Sequence, residues 1–275
     1  MTSNTKPRLA VRLTESAVMI ALATILSLFK LVDLPYGGSI TLASMLPILL
    51  IAYRFGTAWG LLTGFVHGVV QFVLGTSVLS HFSSAMSVAA IILFDYFLAF
   101  AVIGLGGLFK KCIKQQNLAL CTGAVLVGVL RYICHVISGC TVWAGLSIPT
   151  AGALTYSLVY NATYMIPETL VLALAAYYIG SAVDFSGNRL TALKKETVTQ
   201  GRTARLISGA LLCCAGIFDV VSIFKTLQNA ETGEFDITGI VNTNWVAVAA
   251  VTAAAVLVCI VLVLIQRAAG RKVKN

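Results

Sequence analysis

The 275-residue chain is 59% hydrophobic and only 11% charged, with a mean hydropathy of +0.93. A soluble domain carries about 25% charged residues, so the composition leaves little room for soluble mass and describes an integral protein of a lipid bilayer. The net charge of +9 does not call for a nucleic-acid partner: all but three of the nineteen Lys and Arg residues (Lys30, Arg131 and Lys225) fall in alternate connections, as the positive-inside rule expects.

A membrane-crossing helix needs roughly 20 mostly apolar residues. On that measure eight spans are predicted, near 13–32, 40–54, 57–75, 86–108, 118–139, 153–182, 204–226 and 244–266. The first lacks a small-residue cleavage site and reads as a retained helix rather than a signal peptide. The second is short, which leaves it either tilted or only partly inserted, and Pro47 falls inside it, where neighbouring groups must re-satisfy the freed carbonyl. Basic residues cluster before span one, at Arg54, at 110–114, in the long loop after span six and in the tail. The intervening connections carry no Lys or Arg, so both termini are predicted to be cytoplasmic.

The expected fold is all-α: a polytopic six-helix core over 1–182, a basic cytoplasmic loop over 183–203, and a two-helix C-terminal addition with a basic tail over 204–275. Seven scattered cysteines, with no Cys-x-x-Cys and no Cys/His cluster at ligand spacing, predict neither a disulfide framework nor a metal site. A Gly-x-x-x-x-Gly-Lys-Ser/Thr phosphate loop is missing, so energy for any transport comes from an ion gradient or a separate subunit.

Polar residues inside the spans carry the functional signal. On span one, Ala17 and Ala21 are four apart and make a small-residue face suited to bundle packing or a partner helix. Gly56, Gly60, Gly64 and Gly68 recur every fourth residue on span three and predict close intramolecular packing, with His67 as a hydrogen-bonded packing residue beside them. Span four holds Asp95 and Tyr96 within Ile91–Phe100, a run apolar enough to lie in the bilayer. A carboxylate there costs a few kcal/mol unless a partner or ligand satisfies it. Span five ends in Arg131-Tyr-Ile-Cys-His135, then Gly139 and Trp143; Arg131 and His135 share a helix face. Asp95 is the expected counter-charge for Arg131, either as a structural ion pair or as a partnership that orients Asp95 for a ligand.

Span six presents Tyr156, Tyr160 and Tyr164 at four-residue spacing, with Asn161 and Glu168 on one face and Pro167 as an expected kink. Asp219 on span seven is a third buried acid, open to a structural, subunit-contact or ligand role. Asp95, Tyr96, His135, Trp143, Tyr156 and Asn161 fall near the outer ends of spans four to six. One carboxylate, several aromatic faces and an amide suit a flat, heteroaromatic organic cation.

These residues resemble the thiamine-specific substrate-binding subunits (S-components) of energy-coupling-factor (ECF) vitamin transporters, the ThiT family, over roughly residues 8–182. The likeness is carried by Leu13-Thr14-Glu15-Ser16-Ala17, Tyr36-Gly37-Gly38-Ser39-Ile40, Met45-Leu46-Pro47-Ile48-Leu49, Leu93-Phe94-Asp95-Tyr96, Arg131-Tyr132-Ile133-Cys134-His135, Trp143 and Tyr156-Ser157-Leu158-Val159-Tyr160-Asn161. The resemblance implies a six-helix S-component bundle with an outward-facing pocket, partly covered by the loop after helix one. It implies that Asp95 is the acidic ligand to the aminopyrimidine with Tyr96 beside it, that His135 and Trp143 stack on the rings, and that Tyr156 and Asn161 contact the pyrimidine. Gly139 completes the ligand-binding set, and Arg131, Gly38 and Tyr160 support it. Ala17 and Ala21 then contact a transmembrane coupling subunit that works with two cytoplasmic ATPase subunits in the cell membrane.

This chain departs from the family in having Gly38 where some members place a lid-loop Trp, a longer connection over 76–90, and two helices without counterpart. A thiamine precursor or another vitamin is the neighbouring ligand reading. From other classes come an intramembrane enzyme using Asp95, Asp219, Glu168 and His135, disfavoured by the lack of a paired acid or His-Glu-x-x-His spacing, and a structural membrane partner whose polar residues pair internally.

Overall fold

The computed structural model describes residues 9–33, 38–81, 84–145, 150–185, 190–193, 200–227 and 237–272. Contacts divide the chain into two compact units, Met1–Leu193 and Lys194–Asn275.

The first unit opens with helix α1 (Leu9–Leu28), followed by strands β1 (Lys30–Asp33) and β2 (Ser39–Thr41), which pair antiparallel with Val32 opposite Ile40 and Asp33 opposite Ser39. The hairpin takes up the end of predicted span one, the connection after it and the start of span two, so α1 stops at Leu28 rather than running to 32. Helix α2 (Leu46–Phe55) is therefore only ten residues long. At about 1.5 Å per residue it is too short to cross a bilayer, so the reading of 40–54 as a full span is not met, and the expectation of a segment that stops short of crossing is the one left. It is apolar because it is a core helix: Ile48, Leu49, Ile51 and Ala52 are at most 1% exposed. Pro47 sits in its first turn rather than its interior, where a missing N–H has no intrahelical acceptor to lose.

Helix α3 (Thr57–Leu74) follows α2 directly across Gly56, whose φ of +97° suits only a residue without Cβ. The helical run α4 (Ala85–Lys110) is not uniform: Ile91–Leu98 is wound as a π-helix, and Val102–Lys110 narrows to a 3-10 helix. Its second half fits tightly between α2 and α3; a Cβ on Gly104 would run into the Leu61 backbone, and one on Gly60 into Ala52. Gly60, Gly64 and Gly68 are thus used for packing inside the bundle, as expected, whereas nothing lies within 4 Å of a Cβ at Gly56, which serves the turn instead. His67 is buried with its ring edge-on to Phe100 at 5.1 Å, but its Nδ1 has no hydrogen-bond partner, so the predicted hydrogen bond there is not made.

Helices α5 (Gln116–Gly145) and α6 (Thr150–Ala182) complete the core, with Pro167 inside α6. A two-residue ladder, β3 (Val183–Asp184) with β4 (Thr191–Ala192), ends the unit. Gln116 donates to the carbonyls of Gly180 and Val183 at 2.9 and 2.6 Å, satisfying acceptors that the end of α6 leaves open. Met45, Leu49, Ile103, Leu120, Val127 and Leu172 form the apolar centre between α2, α4, α5 and α6.

The second unit is a helical hairpin, α7 (Gln200–Leu227) and α8 (Trp245–Lys272), joined through a short 3-10 turn at Ile237–Asn242. Cross-links run in opposite chain directions, as antiparallel helices require: Cys259 to Ser208 at 3.3 Å, Thr252 to Asp219 at 2.5 Å and Thr226 to Thr243 at 2.6 Å. Asp219 therefore has a structural partner within its own hairpin, while its Oδ1 is buried without one. Seven helices are long and apolar enough to cross a membrane among the described residues, and the seven cysteines are free thiols.

Candidate functional site

A cavity of about 390 Å³ opens within the first unit, bounded by the end of α1, the β hairpin, the end of α3, the π-wound stretch of α4, and α5 and α6. The winding of α4 matters here. Wider π turns re-aim side chains and recur at functional sites, and this one carries Asp95 and Tyr96. Asp95 Oδ1 lies 2.7 Å from His135 Nδ1, and Ser138 Oγ donates to Oδ2 at 2.7 Å. A carboxylate offers about four acceptor positions, so these two contacts fix its orientation and leave capacity for a ligand. His135 and Ser138 are three residues apart on one face of α5, which is how one helix reaches both oxygens.

Behind the imidazole stands Arg131. Its Nη2 is 3.4 Å from His135 Nε2, and its Nη1 is 3.7 Å from Glu168 Oε2. With Nε2 facing a guanidinium that can only donate, Nδ1 is the nitrogen left to donate to Asp95. Arg131 also contacts Met45 Sδ and lies over the Phe100 ring at 4.8 Å. The counter-charge of Arg131 is therefore Glu168, not Asp95, correcting the expected pairing: one imidazole ring stands between the arginine and that acid. Glu168 is in turn held by Thr41 of β2, which donates to Oε1 at 2.8 Å and shares a 2.7 Å hydrogen bond with Ser44.

The α6 wall is built on Asn161 and Tyr164. Asn161 Nδ2 donates to Ser157 O at 2.8 Å and lies 3.2 Å from His135 O, while its Oδ1 accepts from Tyr164 Oη at 2.6 Å. Tyr160 accepts from the Gly38 N–H at 3.2 Å, tying the hairpin to α6. Glycine is required at 38, because a Cβ would press on the Tyr160 hydroxyl and the Tyr164 ring. Gly139 admits Ser157 and Asn161 in the same way. Tyr96 turns its hydroxyl to the Gly75 carbonyl at 3.2 Å, with its ring edge-on to Phe72 at 5.4 Å.

Of the residues singled out from sequence, Asp95, Tyr96, His135, Gly139, Asn161, Arg131, Gly38 and Tyr160 line this one cavity. Tyr156 is half-buried on α6 and is not among the lining residues. Trp143 lies on α5, with its side chain outside the described residues. Ser138 was missed by sequence reading, though its three-residue offset from His135 was available. Tyr164 and Glu168 were noticed as polar but not assigned to the site. Thr41 and Gln71 carried no sequence signal. Ala17 and Ala21 are exposed on α1, on a face that includes Leu13, Val18 and Ile25 at 53–61% exposure. The opposite side of α1 is fastened inward by Trp59 Nε1 to Ser16 at 2.9 Å and by Arg54 Nε to Glu15 at 2.7 Å.

The fold and cavity define a multi-pass helical membrane protein with a polar chamber inside its bundle. Comparison with known proteins is specific: residues 13–184 match the model of the thiamine transporter protein family (Thia_YuaJ), and the chain belongs to that family. It is 35% identical over 175 residues to the thiamine transporter ThiT of Bacillus subtilis strain 168, covering 60% of this chain and 87% of that protein. The ThiT of Lacticaseibacillus paracasei is 25% identical over 166 residues, covering 54% of this chain and 75% of its own length. A solved structure of ThiT from Listeria monocytogenes superposes with a TM-score of 0.51 at 23% identity, covering 62% of this chain and 93% of that one. The relatives are named for transport, and the family's role is transport rather than catalysis. The family match ends before the second unit begins.

Proposed function

We propose that the cavity binds thiamine from the outer side of the membrane and that the chain carries it inward as the substrate-binding subunit of an energy-coupling-factor transporter. One observation carries the reading: an intramembrane carboxylate, Asp95, is oriented by His135 and Ser138 beside a cavity of about 390 Å³ with acceptor capacity unused. A site that holds its acid in place and leaves room beside it is built for a cationic ligand rather than for an internal ion pair. A volume of that size lies in the ordinary range for small-molecule sites. The thiazolium ring supplies the positive charge, the aminopyrimidine supplies donors, and Asn161 with the tyrosines of α6 supplies polar and aromatic contacts. The proposed binding set keeps Trp143 and Tyr156 beside these residues.

The exposed Ala17 and Ala21 face of α1 is the contact for a transmembrane coupling subunit in this reading, since small side chains let a partner helix approach closely. Two cytoplasmic ATPase subunits then supply the energy, in keeping with the missing phosphate loop. Both termini face the cytoplasm, following the distribution of Lys and Arg. In this reading residues 1–182 are the binding core, 183–203 a cytoplasmic loop and 204–275 an added hairpin.

Isothermal titration of the purified full chain with thiamine, thiamine diphosphate and riboflavin tests the proposal. Tight binding of thiamine, with riboflavin silent, is expected. No heat with any of the three would remove the reading.

A further inference from the structure

The inner cavity wall holds two carboxylates and one guanidinium in a single line of contacts, and their order decides which acid is left for a ligand. Glu168 and Arg131 have side chains only 4% and 7% exposed, and they face each other at 3.7 Å. Arg131 Nη2 reaches His135 Nε2 at 3.4 Å, and the other ring nitrogen meets Asp95 at 2.7 Å. Arg131 is thus one imidazole away from Asp95. Were the charge at 168 removed, Asp95 would be the remaining carboxylate of the cavity wall, and an arginine in a low-dielectric setting is drawn to it.

The charge balance points the same way. Asp95 and Glu168 against Arg131 leave the inner wall with one net negative charge. Lys30, the remaining charged residue among the described residues of the lining, is exposed near the end of α1, where water and salt screen it. With a neutral residue at 168 the inner wall would sum to zero, and Arg131 would compete with any cation for Asp95. Glu168 is also anchored, since Thr41 donates to its Oε1 at 2.8 Å. Its carboxylate is held toward Arg131 from the strand side.

We propose that Glu168 is a specificity-determining residue of this cavity: by occupying Arg131 it keeps Asp95 open to a singly charged organic cation. This deepens the reading of the cavity as a thiamine site and rests on it. Glu168 acts through Arg131 as a positioning residue, so its signature is charge preference rather than loss of fit.

The experiment compares the full-length wild type with E168Q and R131M/E168Q. Gln conserves volume and an acceptor for Thr41. Two ligands are titrated: thiamine, and an uncharged analogue in which a thiophene replaces the thiazolium ring. E168Q is expected to weaken thiamine binding by about tenfold or more, roughly 1.4 kcal/mol, while the uncharged analogue, which keeps the aminopyrimidine donors but lacks the charge, weakens less. The double variant restores the single net negative charge of the inner wall, so it recovers most of the lost affinity and the preference for the cation.

Equal weakening of both ligands in E168Q, or a double variant lacking the cation preference, overturns the proposal. The double variant carries no buried charge pair, so it decides the matter even if E168Q does not fold. A ligand-free arm separates this inference from the transport reading. The chain has only three histidines, and ¹⁵N imidazole spectra, assigned with H135Q, report the His135–Asp95 contact directly. In E168Q, capture of Asp95 by Arg131 shifts the His135 Nδ1 resonance; an unmoved resonance overturns the inference whether or not the wild type binds thiamine.

Discussion

Asp95 and His135 meet at 2.7 Å across α4 and α5, and the same carboxylate takes a second 2.7 Å hydrogen bond from Ser138. The acid is therefore held before any ligand arrives, and binding loses little to ordering it. D95N preserves shape and removes the charge. A charge-assisted hydrogen bond is worth about 1.5–3 kcal/mol, so thiamine affinity should fall by roughly 10- to 100-fold in D95N. H135A should weaken binding too, because it frees the carboxylate to rotate. Titration calorimetry of both variants, with thermal melts to confirm folding, reads the result; wild-type affinity in both would remove the site assignment.

Ser138 separates orientation from charge. S138A keeps the carboxylate but leaves it held by a single donor. A loss of about 1 kcal/mol, the net worth of one hydrogen bond, is expected in thiamine binding, smaller than that of D95N. If S138A costs as much as D95N, the oxygen it holds is itself the ligand contact and the division of labour proposed for Asp95 is wrong.

Gly38 closes against α6 with no room for a side chain: a Cβ there presses on Tyr160 and Tyr164, and its N–H bonds the Tyr160 hydroxyl at 3.2 Å. G38A should displace the hairpin from the cavity mouth and raise the thiamine dissociation rate, while Y160F, which removes only the acceptor, has the milder effect of about 1 kcal/mol. Stopped-flow dissociation distinguishes them. Identical rates in wild type and G38A would show that the hairpin does not cover the ligand.

The exposed side of α1 predicts a separation of binding from transport. A17W or A21W adds bulk to a face that touches nothing within the bundle, so thiamine affinity of the purified chain should stay unchanged. Uptake into cells should fall several-fold if this face receives the coupling subunit. Normal uptake in both variants would place the partner elsewhere.

Among the described residues, those that line the cavity all belong to the first unit. A chain ending after Leu193 should therefore bind thiamine as the full protein does, within about twofold by calorimetry, given the additivity of distant, independent sites. A large loss would mean that the added unit supports the core.

Much of this was legible in the sequence because lipid imposes simple rules. Seven of the helices follow from apolar length alone, and the likeness of the Asp95, His135 and Asn161 segments to a known family pointed to residues that do share one cavity. What escaped was tertiary. The ten residues of α2 are apolar because they fill the centre of the bundle, and hydropathy cannot distinguish a buried core helix from a short span. Arg131 was matched to the acid that looked most exposed to notice, whereas Glu168, on another helix, lay closer in space. The hairpin of β1 and β2 is set by its contacts with α6, and nothing in seven mixed residues announces it.

The change of winding within α4 has a mechanical consequence. Its lower portion, with Gly104 and Gly107, is wedged against backbone atoms of α2 and α3, whereas its upper portion follows α5 through Asp95. A shift of α5 that pulled on Asp95 would load the wider turns at Ile91–Leu98 before the glycine wedge. The acid sits on the spring, not on the anvil.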